Sequence, residues 1–465
     1  MSFSSFTRQV HINQTAAKVF AWHEQPGAFE RLAPPWQKLE LVARSGGIRD
    51  GATVSLRTKI GPVWVRWDIE HRDYVEGVQF RDVQRSGLFA HWEHLHSVKA
   101  AEDGGCVLSD EITYQLPCGI AGSAFGGRFA RAELGRLFAY RHAVTKADNE
   151  STARYISVRP MRFLVAGASG LVARSLIPFL QTQGHTVLRL VRRATRTADE
   201  IFWGPAAGQL DPSALRGVDV VINLAGEGVA EVRWSATRKD AIMSSRVDGT
   251  RTLVNAMGAM RRGRPFVFIS GSATGVYGSR GDEVLDEGST HGTGFLAGVC
   301  GAWEREALKA EAFGVRVVRL RAGLVLTPAG GALAKMLPAF CAGVGGRLAS
   351  GKMWMSWISM DDLVGAIYHT VLNQSCDGAV NAVAPGAVTN AEFTHVLARV
   401  LCRPALLPVP GAALRAVFGE MADETLLGSV RVVPARLQMA GYGFRHENLE
   451  DALRHSLGRT KFVQS

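Results

Sequence analysis

The sequence predicts a doubly wound α/β parallel sheet preceded by a separate α+β domain. Three observations carry this. Up to about Asn149 the chain reads as short alternating strands with turn signals between them. From Met161 it reads as continuous apolar strands alternating with helical stretches, the pattern of a parallel sheet covered on both faces. Between them, residues 146–160 are polar without apolar periodicity and read as a linker.

In the first half, strands are expected at residues 52–59, 64–71, 79–84, 91–100 and 107–114. One helix opens at Thr15 as cap, with Ala16, Ala17, Val19 and Phe20 following. A longer one covers residues 123–147, with Phe125, Phe129, Leu134, Leu137 and Phe138 at helical spacing. A meander of antiparallel strands closed by a C-terminal helix leaves room for an apolar small-molecule cavity. In the second half MRFLVAGASG is a buried strand entering a glycine turn, LVARSLIPFLQTQG a helix and HTVLRLV the second strand; VDVVINLAG, FVFISGSAT and VRVVRLRAG follow as strands.

Composition excludes several classes. The 53 Lys and Arg against 42 Asp and Glu leave a formal charge of +11, but the tight basic clusters are limited to Arg192-Arg193 and Arg261-Arg262-Gly263-Arg264. Scattered arginine is a solvated surface rather than a nucleic-acid face, so no nucleic-acid partner is expected. The six cysteines form no CxxC pair and read as reduced thiols. No run of about 18 apolar residues suggests a membrane span, and the N-terminus lacks a secretory pattern, so the expectation is a cytoplasmic protein.

Gly167-Ala168-Ser169-Gly170-Leu171-Val172-Ala173 stands where the first parallel strand becomes a helix. Gly167 permits the tight turn, Gly170 lets backbone approach a pyrophosphate at the helix N-terminus, and Ala173 fills the third small position. The second strand ends in Arg192-Arg193 with no carboxylate until Asp199. Guanidinium suits a ribose 2′-phosphate that a carboxylate would repel, so the expected cofactor is NADP(H) rather than NAD(H).

VAGASGLVA, NLAGEGVAEVRW (223–234), SSR (244–246), SGSATGVYG (270–278), LRAGLVLTPAGGALAKMLP (320–338) and SWISMDD (356–362) follow in order. Together they resemble the extended short-chain dehydrogenase/reductases of the epimerase family, with a Rossmann-type domain over 161–385 and a substrate-side tail over 386–465. AWHEQPGAFERLAPPW and FAHWEHLH resemble the START-like, helix-grip (SRPBCC) ligand-binding superfamily, assigned to 1–155. The resemblance implies that Asn223, Leu224, Ala225 and Gly226, and then Ser270 and Gly271, lie along the cofactor. It implies that Ser272 is the catalytic serine, and that Arg321, Trp357, Asp361 and Asp362 border the substrate cleft or fix its lid. Arg246 and Arg233-Trp234 are placed near it, and dimerisation through sheet-flanking helices is a further family expectation.

The pattern breaks at the proton relay. Short-chain dehydrogenases carry Tyr-x-x-x-Lys on one helix face, yet residues 287–303 contain neither Tyr nor Lys. Aligning on Glu304 puts Leu296 and Cys300 at those positions. Tyr277 is taken as the replacement acid, with His291 and Cys300 as alternatives. The run His91, His94, His96 places His94 and His96 on one strand face with Trp92; no convergent third ligand is apparent in the sequence, and no metal is expected. Two functions stay open: an NADP(H)-dependent oxidoreductase or epimerase-like enzyme with an apolar-ligand module, or a non-catalytic NADP(H)-holding sensor.

Overall fold

Seven antiparallel strands open the chain in the computed structural model, which describes residues 3–153, 155, 158–260 and 262–460. They are β1 (Ser4–Ile12), β2 (Leu39–Ser45), β3 (Thr53–Ile60), β4 (Val63–Val75), β5 (Gln79–Ser86), β6 (His91–Ala100) and β7 (Cys106–Gln115), in the order β1-β7-β6-β5-β4-β3-β2. Two short helices, α1 (Ala16–Glu24) and α2 (Ala28–Leu32), link β1 to β2, and α3 (Gly119–Ala153) follows β7. Phe6, Trp92, Ile112 and Tyr114 from the sheet form one buried cluster with Leu134 and Phe138 of α3.

Three sequence expectations change here. β1 and β2 were not expected; β2 is an edge strand exposed along nearly its whole length, so it has no buried face and no alternation to read. Phe125 and Phe129 are exposed, whereas Leu134 and Phe138 are buried. Helical spacing identifies residues that share a face, not how far the opposing surface reaches. The first half of the polar stretch read as a linker is helix, because α3 continues to Ala153. Its polarity is internal: Asp148, fully buried, takes Nε and Nη2 of buried Arg31 at 2.7 and 3.0 Å. Arg261 of the basic cluster lies outside the described residues.

The second sheet holds β8 (Arg162–Ala166), β9 (Thr186–Val191), β10 (Glu200–Phe202), β11 (Val220–Asn223), β12 (Val267–Ala273), β13 (Arg316–Ala322) and β14 (Gly378–Ala382). All pairs are parallel, in the order β10-β9-β8-β11-β12-β13-β14. The expected buried runs are there: Phe163 to Ala166 and Val220 to Asn223 are all fully buried. The strand order reverses between β8 and β11, so the loops leaving those two strands flank a crevice at the carboxyl edge. Helices α4 (Ala173–Thr182), α5 (Ala236–Ala259), α6 (Phe295–Leu308), α7 (Gly331–Cys341) and α8 (Met360–Leu372) accompany this sheet.

Contacts divide the chain into two compact units, 1–158 with 181–184 and 455–465, and 159–180 with 185–454. Among the described residues, no helix is long and apolar enough to cross a membrane.

Candidate functional site

Gly167 leaves β8 at φ +78°, and a Cβ there would stand 2.7 Å from the Leu224 carbonyl carbon and 2.8 Å from the Ala225 nitrogen. Only glycine lets the two switch-point loops come this close. The turn closes with Gly170 N–H donating to the Gly167 carbonyl at 2.8 Å, and α4 starts with Leu176 N–H on the Val172 carbonyl. Ala168, Ser169 and Gly170 form the rim, the Ser169 carbonyl accepting from Arg174 Nε, while Leu171 lies against Gly330. Ala173 is fully buried beneath the turn. Across the crevice Asn223 is buried, its amide donating to Thr250 Oγ1 and its oxygen accepting from Ala225 N–H, which fixes the chain as it leaves β11. Gly226 lies under the Arg246 guanidinium, which also covers the Trp303 ring at 5.2 Å.

The two arginines after β9 separate in role. Arg193 is tied down by Glu200, Nη1 to Oε2 at 2.8 Å and Nη2 to Oε1 at 2.7 Å. Arg192 is exposed and has no hydrogen bond or ion pair among the described residues. Glu200 on β10, one residue beyond Asp199, thus folds back onto Arg193.

Along β12, Ser270 is fully buried and Gly271 is a close approach, since a Cβ there would meet the Trp303 ring at 2.8 Å. Ser272 donates its hydroxyl to Glu304 Oε1 at 2.7 Å. The same carboxylate accepts Arg321 Nε and Nη2, both at 2.8 Å, and Arg319 Nη1 at 3.1 Å. Burial alone would raise the Glu304 carboxyl pKa, but these arginines and Ser272 hold it below its ordinary value. Arg321 also donates to the Tyr277 hydroxyl at 2.9 Å and lies 3.1 Å from His291 Nε2.

This arrangement corrects the expected acid. Tyr277 is fully buried, its hydroxyl donates to Asn381 Oδ1 at 2.7 Å, and burial raises its pKa. It holds Arg321 in place and presents nothing to a cleft. Cys300 is buried too, and desolvation pushes its thiol up to about 11. His291 remains partly exposed at the edge of the network. Arg321, expected to border the substrate cleft, is instead a buried cross-link of this network. Trp357 is fully buried with its indole N–H on the Gly386 carbonyl, and Asp362 caps the backbone of Arg445 and His446. The cap of α8 is Ser359, one residue before Met360, and both Asp361 and Asp362 sit within the first turn. Glu304 and Asn381 were not singled out from sequence as site residues; Glu304 lies within α6 and meets Arg319 and Arg321 of β13 only through the fold.

The first unit contains a cavity of about 450 Å³. Apolar walls come from Phe29, Leu32, Leu56, Ile69, Phe80 and Leu137, and one part of the lining is polar: His23, His71, Asp82, His94, His96 and Arg141. Asp110, on β7, accepts from His94 Nε2 at 2.8 Å, lies 2.7 Å from His96 Nδ1 and also pairs with His142. Burial opposes charge on His96, yet Asp110 and Asp82 lift its pKa to about 9. For His94 desolvation dominates, and its pKa falls to about 4.

The NAD dependent epimerase/dehydratase family profile matches residues 163–382, and a domain of unknown function, DUF1731, matches 409–456. An epimerase family protein of Mycobacterium bovis is 43% identical over 295 residues, 63% of this chain and 97% of that protein. This chain belongs to the epimerase family. A crystal structure of a nucleoside-diphosphate sugar epimerase from Corynebacterium glutamicum is 30% identical, with a TM-score of 0.80. It covers 99% of this chain and 91% of that one, so its likeness includes the first unit. The human epimerase family protein SDR39U1, solved with NADPH, is 30% identical with a TM-score of 0.58, covering 64% of this chain and 99% of that one.

Proposed function

We propose that the second unit binds NADP(H) and acts as an oxidoreductase or epimerase-like enzyme on a carbonyl or carbinol carbon of a small molecule. The first unit, in this reading, is a START-like module that holds an apolar ligand. The observation that carries the cofactor reading is the glycine cradle, where any side chain at Gly167 would strike the Leu224–Ala225 backbone. A dinucleotide needs that backbone approach and the helix N-terminus behind it. Arg192, without a partner among the described residues, supplies a guanidinium for a 2′-phosphate, and the human relative solved with NADPH agrees in kind.

Bound NADP(H) would supply or accept hydride. The chain supplies the rest. Ser272 donates its hydroxyl hydrogen to Glu304 in a hydrogen bond, so its oxygen lone pairs are free to receive a substrate hydroxyl. Rotation off Glu304 turns the same group into a donor for a carbonyl oxygen as it gains charge. Arg321 and Arg319 keep Glu304 ionised, Tyr277 and Asn381 hold Arg321, and His291, the partly exposed member, is the acid that gives the carbonyl oxygen its proton and regains one from solvent.

Incubating the full chain with NADPH or NADP+ and a panel of carbonyl and carbinol compounds tests this. Ser272→Ala is expected to lower turnover about 100-fold; full activity of that variant would remove the assigned role. Tight NADPH binding with no turnover on any compound would favour the non-catalytic reading, which rests on the missing Tyr and Lys over 287–303.

A further inference from the structure

We propose that His94, His96 and Asp82 of the first unit form a binding site for a divalent transition-metal ion of the zinc class, with one coordination position open to the cavity. The three side chains come from neighbouring strands in register: Asp82 on β5 stands opposite His94 on β6, and His96 follows on the same face. One ligand atom from each lies within 4.8 Å of the others. Asp82 Oδ2 is 3.4 Å from His96 Nε2 and 3.8 Å from His94 Nδ1. Ligand atoms around a tetrahedral zinc stand about 3.3 Å apart at Zn–N and Zn–O lengths of about 2.0–2.2 Å, so small side-chain rotations suffice.

The far side of each imidazole decides the chemistry. Asp110 is a carboxylate and can only accept, so its partners, His94 Nε2 and His96 Nδ1, are the protonated nitrogens. Their other nitrogens, His94 Nδ1 and His96 Nε2, face Asp82. Carboxylates behind imidazoles fix tautomer and ring orientation in this way at metal centres. Asp110 is further held by His142 Nε2 at 2.5 Å. Asp82 is braced by His71, whose Nδ1 lies 2.8 Å from the second oxygen but without the alignment of a hydrogen bond, leaving both atoms without a hydrogen-bond partner among the described residues.

All three ligands line the cavity, so a fourth position points into it. Three protein ligands plus one open position is the arrangement of a metal that contacts a bound molecule, rather than one that only staples a fold. Two nitrogens and one oxygen suit zinc and its first-row neighbours and not calcium or magnesium, which take oxygen.

The full chain is dialysed against buffered Zn2+, freed of excess ion by gel filtration and assayed by elemental mass spectrometry. One equivalent per chain is expected. The Asp82→Asn, His96→Gln double variant should lose at least about 90% of it, while His91→Gln, on the same strand with its side chain on the opposite face, should retain it. Replacing Zn2+ with Co2+ gives a second readout on unmodified protein, intense visible bands for a four-coordinate site. Those bands should appear in wild type and be absent from the double variant where it folds. Wild type that retains no ion and gives no Co2+ bands overturns the proposal. So does a folded double variant that binds as much as wild type.

Discussion

Glu304 in the second unit and Asp110 in the first are both buried carboxylates with several cationic or imidazole partners, yet their surroundings differ in kind. Glu304 is met by Arg319 and Arg321, guanidiniums that stay charged at any working pH. Asp110 is met by His94, His96 and His142, groups that can be neutral or charged and can ligate a metal. One network fixes charge to hold a serine and a strand edge in place. The other sets His94 Nδ1 and His96 Nε2 beside Asp82 in the lining of a cavity, where an imidazole that loses its proton can ligate. Burial and polarity alone do not distinguish a positioning network from a ligand site; the identity of the cation does.

Removing the carboxylate should expose that difference. Glu304→Ala leaves Arg321 buried and unpaired, and its expected cost is about 3–5 kcal/mol in denaturant unfolding of the full chain. Glu304→Met combined with Arg321→Met should recover most of it; a single variant as stable as wild type would mean that the arginines reach water. Asp110→Asn should cost less, about 1–3 kcal/mol, because histidine can shed its charge whereas arginine cannot. Equal losses in the two variants would erase the contrast.

Arg192→Ala removes a fixed charge with no partner among the described residues. It should weaken NADPH binding by about 10–100-fold, the worth of a charge-assisted pair, and leave NADH binding unchanged with no loss of stability. Isothermal titration with both nucleotides reads this directly. Equal weakening for the two would place the 2′-phosphate elsewhere.

His185 is the titratable counterpart within the second unit. Its Nδ1 accepts Met161 N–H at 3.1 Å, its Nε2 lies 2.9 Å from the Tyr368 hydroxyl, and desolvation lowers its pKa to about 4. Its folded pKa lies below the unfolded value, so its contribution is present above about pH 6.5 and lost as pH falls towards 4. Urea midpoints should rise across pH 4–6.5, and His185→Asn should flatten that rise by up to about one proton. An unchanged slope would show that other groups set the acid limit.

How much was legible in the sequence follows from the range of each interaction. The parallel strands are apolar runs because both faces are buried, and the Gly167 turn is local, so both could be read along the chain. β2 escaped because neither of its faces is buried. The tail of α3 read as a linker because its polar residues serve a buried pair, Arg31–Asp148, 117 positions apart. Glu304, Asn381, Asp82 and Asp110 acquire their roles from strands distant in sequence, and no spacing rule reaches them. His94 and His96 were visible as a pair, but their third partner stood across the register on β5.

The account turns on the second unit holding a phosphorylated dinucleotide at the Gly167 cradle. Native mass spectrometry of the full chain, as purified and after adding NADPH or NADH, tests that most directly. One NADP(H) per chain, carried through purification or taken up in preference to NADH, is the expected result. A chain that arrives empty and takes up neither nucleotide would contradict the cradle, and with it the role given to Arg192.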